Sequence, residues 1–286
     1  MRRTIALAAG VLVAVLAPAQ TLAADEPPTC QGQSATIVAT DAPIYTVNGT
    51  AGDDVIVVTG SGASDFYGVS GNGGDDLICL VGHFASGVEV FPVVSGGPGQ
   101  DSLLVRTGDS PDALHISEGM EAMDIDLGGS YNSLELANPL GSGTVRSGLR
   151  GSSLAVLGVD VMDLDLRDGT LSVDDGAGNF AVDGFSAVWA NGMDVTIGGS
   201  GGDDRLTVVG CRIVMRGRRG NDFFRAISKG LDCPRGKARL RGQQGDDYFS
   251  GTSGRDVLVG GPGRDKANGR GGVDRCVAEI RHKCEK

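Results

Sequence analysis

The sequence predicts an all-β chain coiled into a single parallel β-solenoid with glycine-rich turns. Three observations point that way. Glycine supplies 48 of 286 residues, far above the usual share of about 7 %. Hydrophobic residues reach 40 % while aromatic ones stay at 5 %, which suits a narrow core of Val, Ile and Leu and argues against disorder. A nine-residue unit also recurs along the chain, and a fixed internal period is the signature of stacked repeats.

Taken in order, the chain opens with Met1-Arg2-Arg3, an apolar run from Ile5 to Ala17 and small residues before Asp25. This layout reads as a secretory signal peptide over residues 1–24. The run falls short of the ~20 residues that span a bilayer. The solenoid is expected over residues 25–277, with 278–286 as a C-terminal cap or tail. Repeat units occupy 49–57, 71–79, 96–104, 199–207 and 217–225, and four more run head to tail over 242–277. Each has Gly at positions 1 and 4 and Asp at position 6, and most have an apolar residue at position 8. Position 6 is thus Asp54, Asp76, Asp101, Asp204, Asp222, Asp247, Asp256, Asp265 and Asp274. Residues 105–196 carry no such unit. There Met123-Asp-Ile125-Asp-Leu127 is echoed by Met162-Asp-Leu164-Asp-Leu166 and Met193-Asp-Val195-Thr-Ile197. Such alternation marks strands with one apolar face. Diverged coils of the same solenoid are expected here, with a β-sandwich as the rival fold.

The spacing carries chemistry of its own. Glycine at positions 1 and 4 lets the backbone turn sharply, including into positive φ, so that carbonyls can converge beside the position 6 carboxylate. Calcium takes 6–8 oxygen ligands and tolerates irregular geometry. One turn supplies about half of such a set, so a neighbouring coil must complete it. If two units make one coil, Asp247 stacks on Asp265, Asp256 on Asp274 and Asp204 on Asp222, with Leu206, Phe224, Phe249 and Leu258 pointing inward. The bland reading is that each Asp only caps its own turn.

These units resemble the nonapeptide repeat G-G-x-G-x-D-x-U-x of hemolysin-type (RTX) calcium-binding proteins, where U is apolar. The second glycine is present only at Gly97 and Gly261, and Ala267 and Cys276 occupy the apolar position of the last two units. The resemblance implies a right-handed β-roll with calcium between adjacent turns. It places the ligands at the nine aspartates and at glycine carbonyls, foremost those of Gly242, Gly245, Gly251, Gly254, Gly260 and Gly263.

The six cysteines all follow the leader. An even number in an exported chain favours disulfides over zinc, since no CxxC or paired-His spacing is present. Fifteen pairings are possible; the gaps suggest Cys30–Cys79, Cys211–Cys233 and Cys276–Cys284. Charge is uneven: residues 25–204 hold 4 basic and 27 acidic residues, and 205–286 hold 19 and 9. Arg216, Arg218, Arg219, Arg239 and Arg241 sit in the basic part. They either dock an anionic cell-surface polymer or polysaccharide, or offset acidic neighbours. Nucleic acid is disfavoured, because no aromatic platform accompanies the charge. The expected setting is secreted or cell-surface, with calcium as partner and no membrane span once the leader is removed.

No catalytic constellation stands out. His83, His115 and His282 lie outside any metalloprotease spacing, and Gly198-Gly-Ser200-Gly-Gly202 overlaps a repeat start rather than a strand–helix elbow. The pairs Asp124/Asp126 and Asp163/Asp165 are candidates for acid–base work on a sugar, but solvated strand faces give the same pattern. The expectation is a non-enzymatic, calcium-stapled structural or adhesion module. A carbohydrate-active β-helix enzyme bearing calcium repeats, lyase or hydrolase, is the alternative.

Overall fold

A computed structural model describes residues 27–40, 46–61, 67–84, 92–108, 112–148, 151–228, 233 and 236–284. The leader expected at 1–24 lies outside the described residues. Among the described residues no helix is long and apolar enough to cross a membrane.

Short runs of branched residues separated by glycine turns cannot bury themselves alone, so each strand packs on its copy in the next coil. Among the described residues successive strands fall mostly in alternation into two long sheets, one of twelve strands and one of fourteen. Val55–Ser61 lies in the larger sheet and Gly68–Ser70 in the smaller. Leu77–His83 then returns beside Val55–Ser61 in parallel register, with Ile56 opposite Ile78. Nearly all pairings among the described residues are of this parallel kind, and most stacked residues stand 18 to 25 positions apart in sequence, with 33 to 37 around the middle excursion and 14 at the last pairing.

The inward residues of both sheets form one continuous apolar core. In the smaller sheet Leu206, Phe224, Phe249 and Ala267 follow one another in register, and the rings of Phe224 and Phe249 stack with centroids 4.9 Å apart. These are the position 8 residues, buried as expected. Leu240, Leu258 and Cys276 form the matching row in the larger sheet.

The middle third continues the coils and is not a separate sandwich: Ala113–Ile116, Ser133–Ala137 and Ser152–Leu157 stack in parallel. It also holds a departure from the expected regular coils. Val161–Asp165, Thr170–Val173 and Gly178–Asp183 form an antiparallel meander inside the larger sheet. It is flanked in parallel by Gly141–Arg146 and Asp194–Gly198. The excursion gives that sheet two strands that the other lacks, roughly 10 Å of extra stack at about 4.8 Å per strand.

Past residue 277 the chain still builds the solenoid. Ile280–His282 pairs with Lys266–Asn268, and the Cys276–Cys284 disulfide closes this half-coil. The other bridges are Cys30–Cys79, tying the first described strand to the larger sheet, and Cys211–Cys233. All three pairings follow the sequence gaps.

Candidate metal centre in the stacked turns

The turns that precede the strands bring the position 6 aspartates into columns. Asp54, Asp76 and Asp101 form one, ending at Glu121. Asp204, Asp222, Asp247 and Asp265 form another, ending at Glu279, and Asp256 stacks with Asp274 in a third. The three pairs expected at a separation of 18 residues are therefore all in register. Within a column each Asp presents Oδ1 to the backbone N–H of the Asp one coil earlier: Asp76 accepts from Asp54 at 2.9 Å, Asp101 from Asp76 at 2.8 Å and Asp222 from Asp204 at 2.9 Å. Asp247, Asp265 and Asp274 repeat the bond. Where a column ends, a longer side chain takes over, Glu121 accepting from Asp101 and Glu279 from Asp265.

The glycine at position 1 serves a purpose other than the expected one. None of the nine has positive φ. Instead Oδ2 of the position 6 Asp rests against the glycine Cα, so a methyl group on Gly71, Gly217, Gly242 or Gly260 would overlap the carboxylate of its own turn. Close approach, not turn conformation, requires glycine there.

Position 5 has a role that the repeat pattern had not assigned. Its side chain runs a second, more exposed ladder in the opposite sense, accepting the N–H of the following coil. Asp53 accepts from Asp75, Asp75 from Gln100, Asp203 from Asn221, Asn221 from Asp246 and Asp246 from Arg264, all at 2.7 to 2.9 Å. The doublets Asp53-Asp54, Asp75-Asp76, Asp203-Asp204 and Asp246-Asp247 were its visible signal.

The inner ladder leaves a deficit. Oδ2 of Asp76, Asp101, Asp222, Asp247 and Asp265 is buried with no hydrogen-bond partner among the described residues, and these residues are at most 2 % exposed. A buried charged oxygen without a partner is costly. Burial accordingly pushes Asp222 up to about 7, and Asp101 and Asp247 up to about 6, and raises Asp76 and Asp265 as well. Neighbouring carboxylates of the column add to the shift. Such a row of orphaned hard oxygens fits a divalent cation that accepts oxygen donors in irregular arrays. Among the described residues no three His, Cys, Asp or Glu side chains converge on one point, so carbonyls would have to complete any coordination.

The other candidates separate clearly. Ser200 donates its hydroxyl to Asp204 at 2.9 Å within a repeat turn. Asp124 is held by Arg106 and Thr144, and those contacts keep its carboxyl below the ordinary range. Asp165 is likewise lowered, chiefly by Arg218, whose guanidinium grips both carboxylate oxygens across 53 residues of sequence. His83 meets Asp112 and His115 meets Glu135. Of the arginines singled out above, Arg218, Arg219 and Arg241 line one open cleft of about 770 Å³ together with Arg167, Gln243 and Gln244. Arg216 lies beside Arg241 on the outer sheet face, and Arg239 two residues before it. Among the described residues Arg216, Arg219, Arg239 and Arg241 meet no carboxylate at ion-pair distance.

Comparison with curated proteins found no match, and comparison with solved structures found none. Comparison with protein families does match: residues 239–276 carry four copies of the RTX calcium-binding nonapeptide repeat.

Proposed function

We propose that this chain is a secreted calcium-binding solenoid in which the cation staples neighbouring coils, wound in the right-handed sense usual for parallel β connections. The observation that carries the reading is the set of five buried aspartate oxygens with no partner. Asp76, Asp101, Asp222, Asp247 and Asp265 would hold the ions, with Asp274 beside them and carbonyls of the glycine turns as further donors. Calcium bound there supplies the positive charge that lets the carboxylates stay ionised in a buried column. The chain's own contribution is the hydrogen-bonded ladder, which fixes Oδ1 and leaves Oδ2 for the metal. Sites with a Kd of about 10⁻⁴–10⁻³ M suit an extracellular setting.

The role is structural or adhesive rather than catalytic, a reading supported by the arginines that engage one carboxylate of each candidate pair, Asp124 and Asp165. The arginine cleft supports contact with an anionic partner such as a carboxylated polysaccharide. Isothermal titration of the chelator-treated chain with calcium, against magnesium as control, tests the central point. Saturable uptake of calcium but not magnesium supports it, and no uptake refutes it.

A further inference from the structure

The nine repeat turns do not share one backbone. In six of them position 2 has positive φ: Asn72, Gly97, Arg218, Gln243, Gly261 and Arg270. The glycine at position 4 of the same six is also at positive φ, from Gly272 at 100° to Gly99 at 154°. Those position 4 glycines lie on the turn of the preceding coil. A methyl group on Gly74 would strike Gly52, one on Gly245 would strike Gly220, and one on Gly263 would strike Gly245.

In the other three turns, which start at Gly49, Gly199 and Gly251, neither position has positive φ. Position 2 is Thr50, Ser200 or Thr252, and each turns both its amide and its hydroxyl onto the position 6 carboxylate. Thr50 N–H and Oγ1 reach Asp54 Oδ2 at 2.6 and 2.9 Å. Ser200 N–H reaches Asp204 Oδ2 at 2.7 Å and its hydroxyl reaches Oδ1. Thr252 N–H reaches Asp256 Oδ2 at 2.6 Å and its hydroxyl reaches Oδ1 at 2.9 Å. The oxygen left without a partner in Asp222, Asp247 and Asp265 is thus satisfied here from within the turn.

These three turns also share a place. Each begins a column, with no nonapeptide turn before it. Asp54 accepts from the hydroxyl of Thr36, and Asp256 from the amide of Ala238. Asp204 follows the strand Phe185–Asn191 of the diverged region.

We infer that Thr or Ser at position 2 marks the first turn of a column and does there what calcium does in later turns, so that the turns of Asp54, Asp204 and Asp256 take up no calcium. This rests on the calcium reading above and narrows it: calcium belongs to the turns with positive φ at position 2. The hydroxyl and amide supply donors to a carboxylate that would otherwise need a cation. In the two turns that carry threonine, the β-branched side chain also resists the positive φ that opens the turn.

The test is a count of calcium per full-length chain by equilibrium dialysis, on the parent and on paired variants. Asp222→Asn and Asp265→Asn should each lower the count by one, while Asp204→Asn and Asp256→Asn should leave it unchanged. The two members of each pair guard against one failing to fold, which far-UV circular dichroism in calcium reports. Loss of one ion on Asp204→Asn or Asp256→Asn would overturn the inference while leaving the calcium reading intact. A parent chain that takes up no calcium would overturn both.

Discussion

Gly260 and Gly52 occupy positions 1 and 4 of the same motif, yet the surroundings give them different tolerances. A methyl group on Gly260 meets the carboxylate of Asp265, whereas one on Gly52 approaches only the Thr50 hydroxyl, at 3.9 Å. Gly260→Ala should therefore lower stability by about 1–3 kcal/mol, as overpacking does, and Gly52→Ala by less than about 0.5 kcal/mol. Chemical denaturation in calcium measures both, and equal costs would contradict the carboxylate-contact account. At this scale the sequence was legible in its outline: the glycine and aspartate positions stand in the correct register. The reason for the first glycine was not, because the contact with Oδ2 depends on a side-chain rotamer that no spacing encodes. Nor was the split at position 2 visible until Thr50, Ser200 and Thr252 were seen at column starts.

Among the elements, the meander over Val161–Asp183 had escaped the pattern reading. Alternation of Met162, Leu164 and Leu166 with aspartates marks a strand but not its direction, because a period of two is common to parallel and antiparallel pairing. The signal lay in the turns: Asp168-Gly169 and Asp175-Gly176 flank Thr170–Val173, and Asp-Gly is a strong hairpin dipeptide. The grip of Arg218 on Asp165 ties this excursion to the repeat turn at Gly217. Arg218→Ala should cost on the order of 1–2 kcal/mol and speed amide exchange in Thr170–Val173 beyond that in Leu206–Val208. Unchanged exchange there would mean that strand pairing alone holds the meander. The stacked rings give a second check on the elements, since Phe249→Ala removes a fully buried ring and should cost about 3–5 kcal/mol. Thermal unfolding in calcium measures it.

For the whole molecule the columns set how stability responds to acid. Asp101, Asp222, Asp247 and Asp256 are lifted to about 6 or 7, mainly by burial. Each is more easily protonated folded than unfolded, where the ordinary value is 3.8. Their contribution is complete below that value and is lost as pH rises through 6 to 7. In chelator the unfolding midpoint should therefore fall between pH 5 and pH 8. Asp54, Asp124 and Asp165 are lowered by hydrogen bonds from Thr50, Arg106 and Arg218 and act oppositely, losing their contribution as pH falls below the ordinary carboxylate range. On the proposed calcium reading, the cation removes the first effect at Asp101, Asp222 and Asp247, because a bound cation favours the ionised form. A midpoint in chelator that climbs steadily to pH 8 would contradict burial as the dominant cause. The disulfide pairing was one of fifteen possibilities that the sequence gaps only suggested, whereas the parallel coils and the columns were readable because they follow from period and spacing. Their energetic deficit was not, because it arises only when coils close over the carboxylates.

The most direct test of the central claim is far-UV circular dichroism of the chain at pH 7.5, titrated with calcium from a chelated start, with magnesium as control. A cooperative gain of β signal or of unfolding temperature in calcium alone is the result expected if the buried aspartates need a cation. A chain already fully folded in chelator, with a midpoint that calcium does not move, would show that ladder, core and disulfides suffice and that the aspartates are turn residues only.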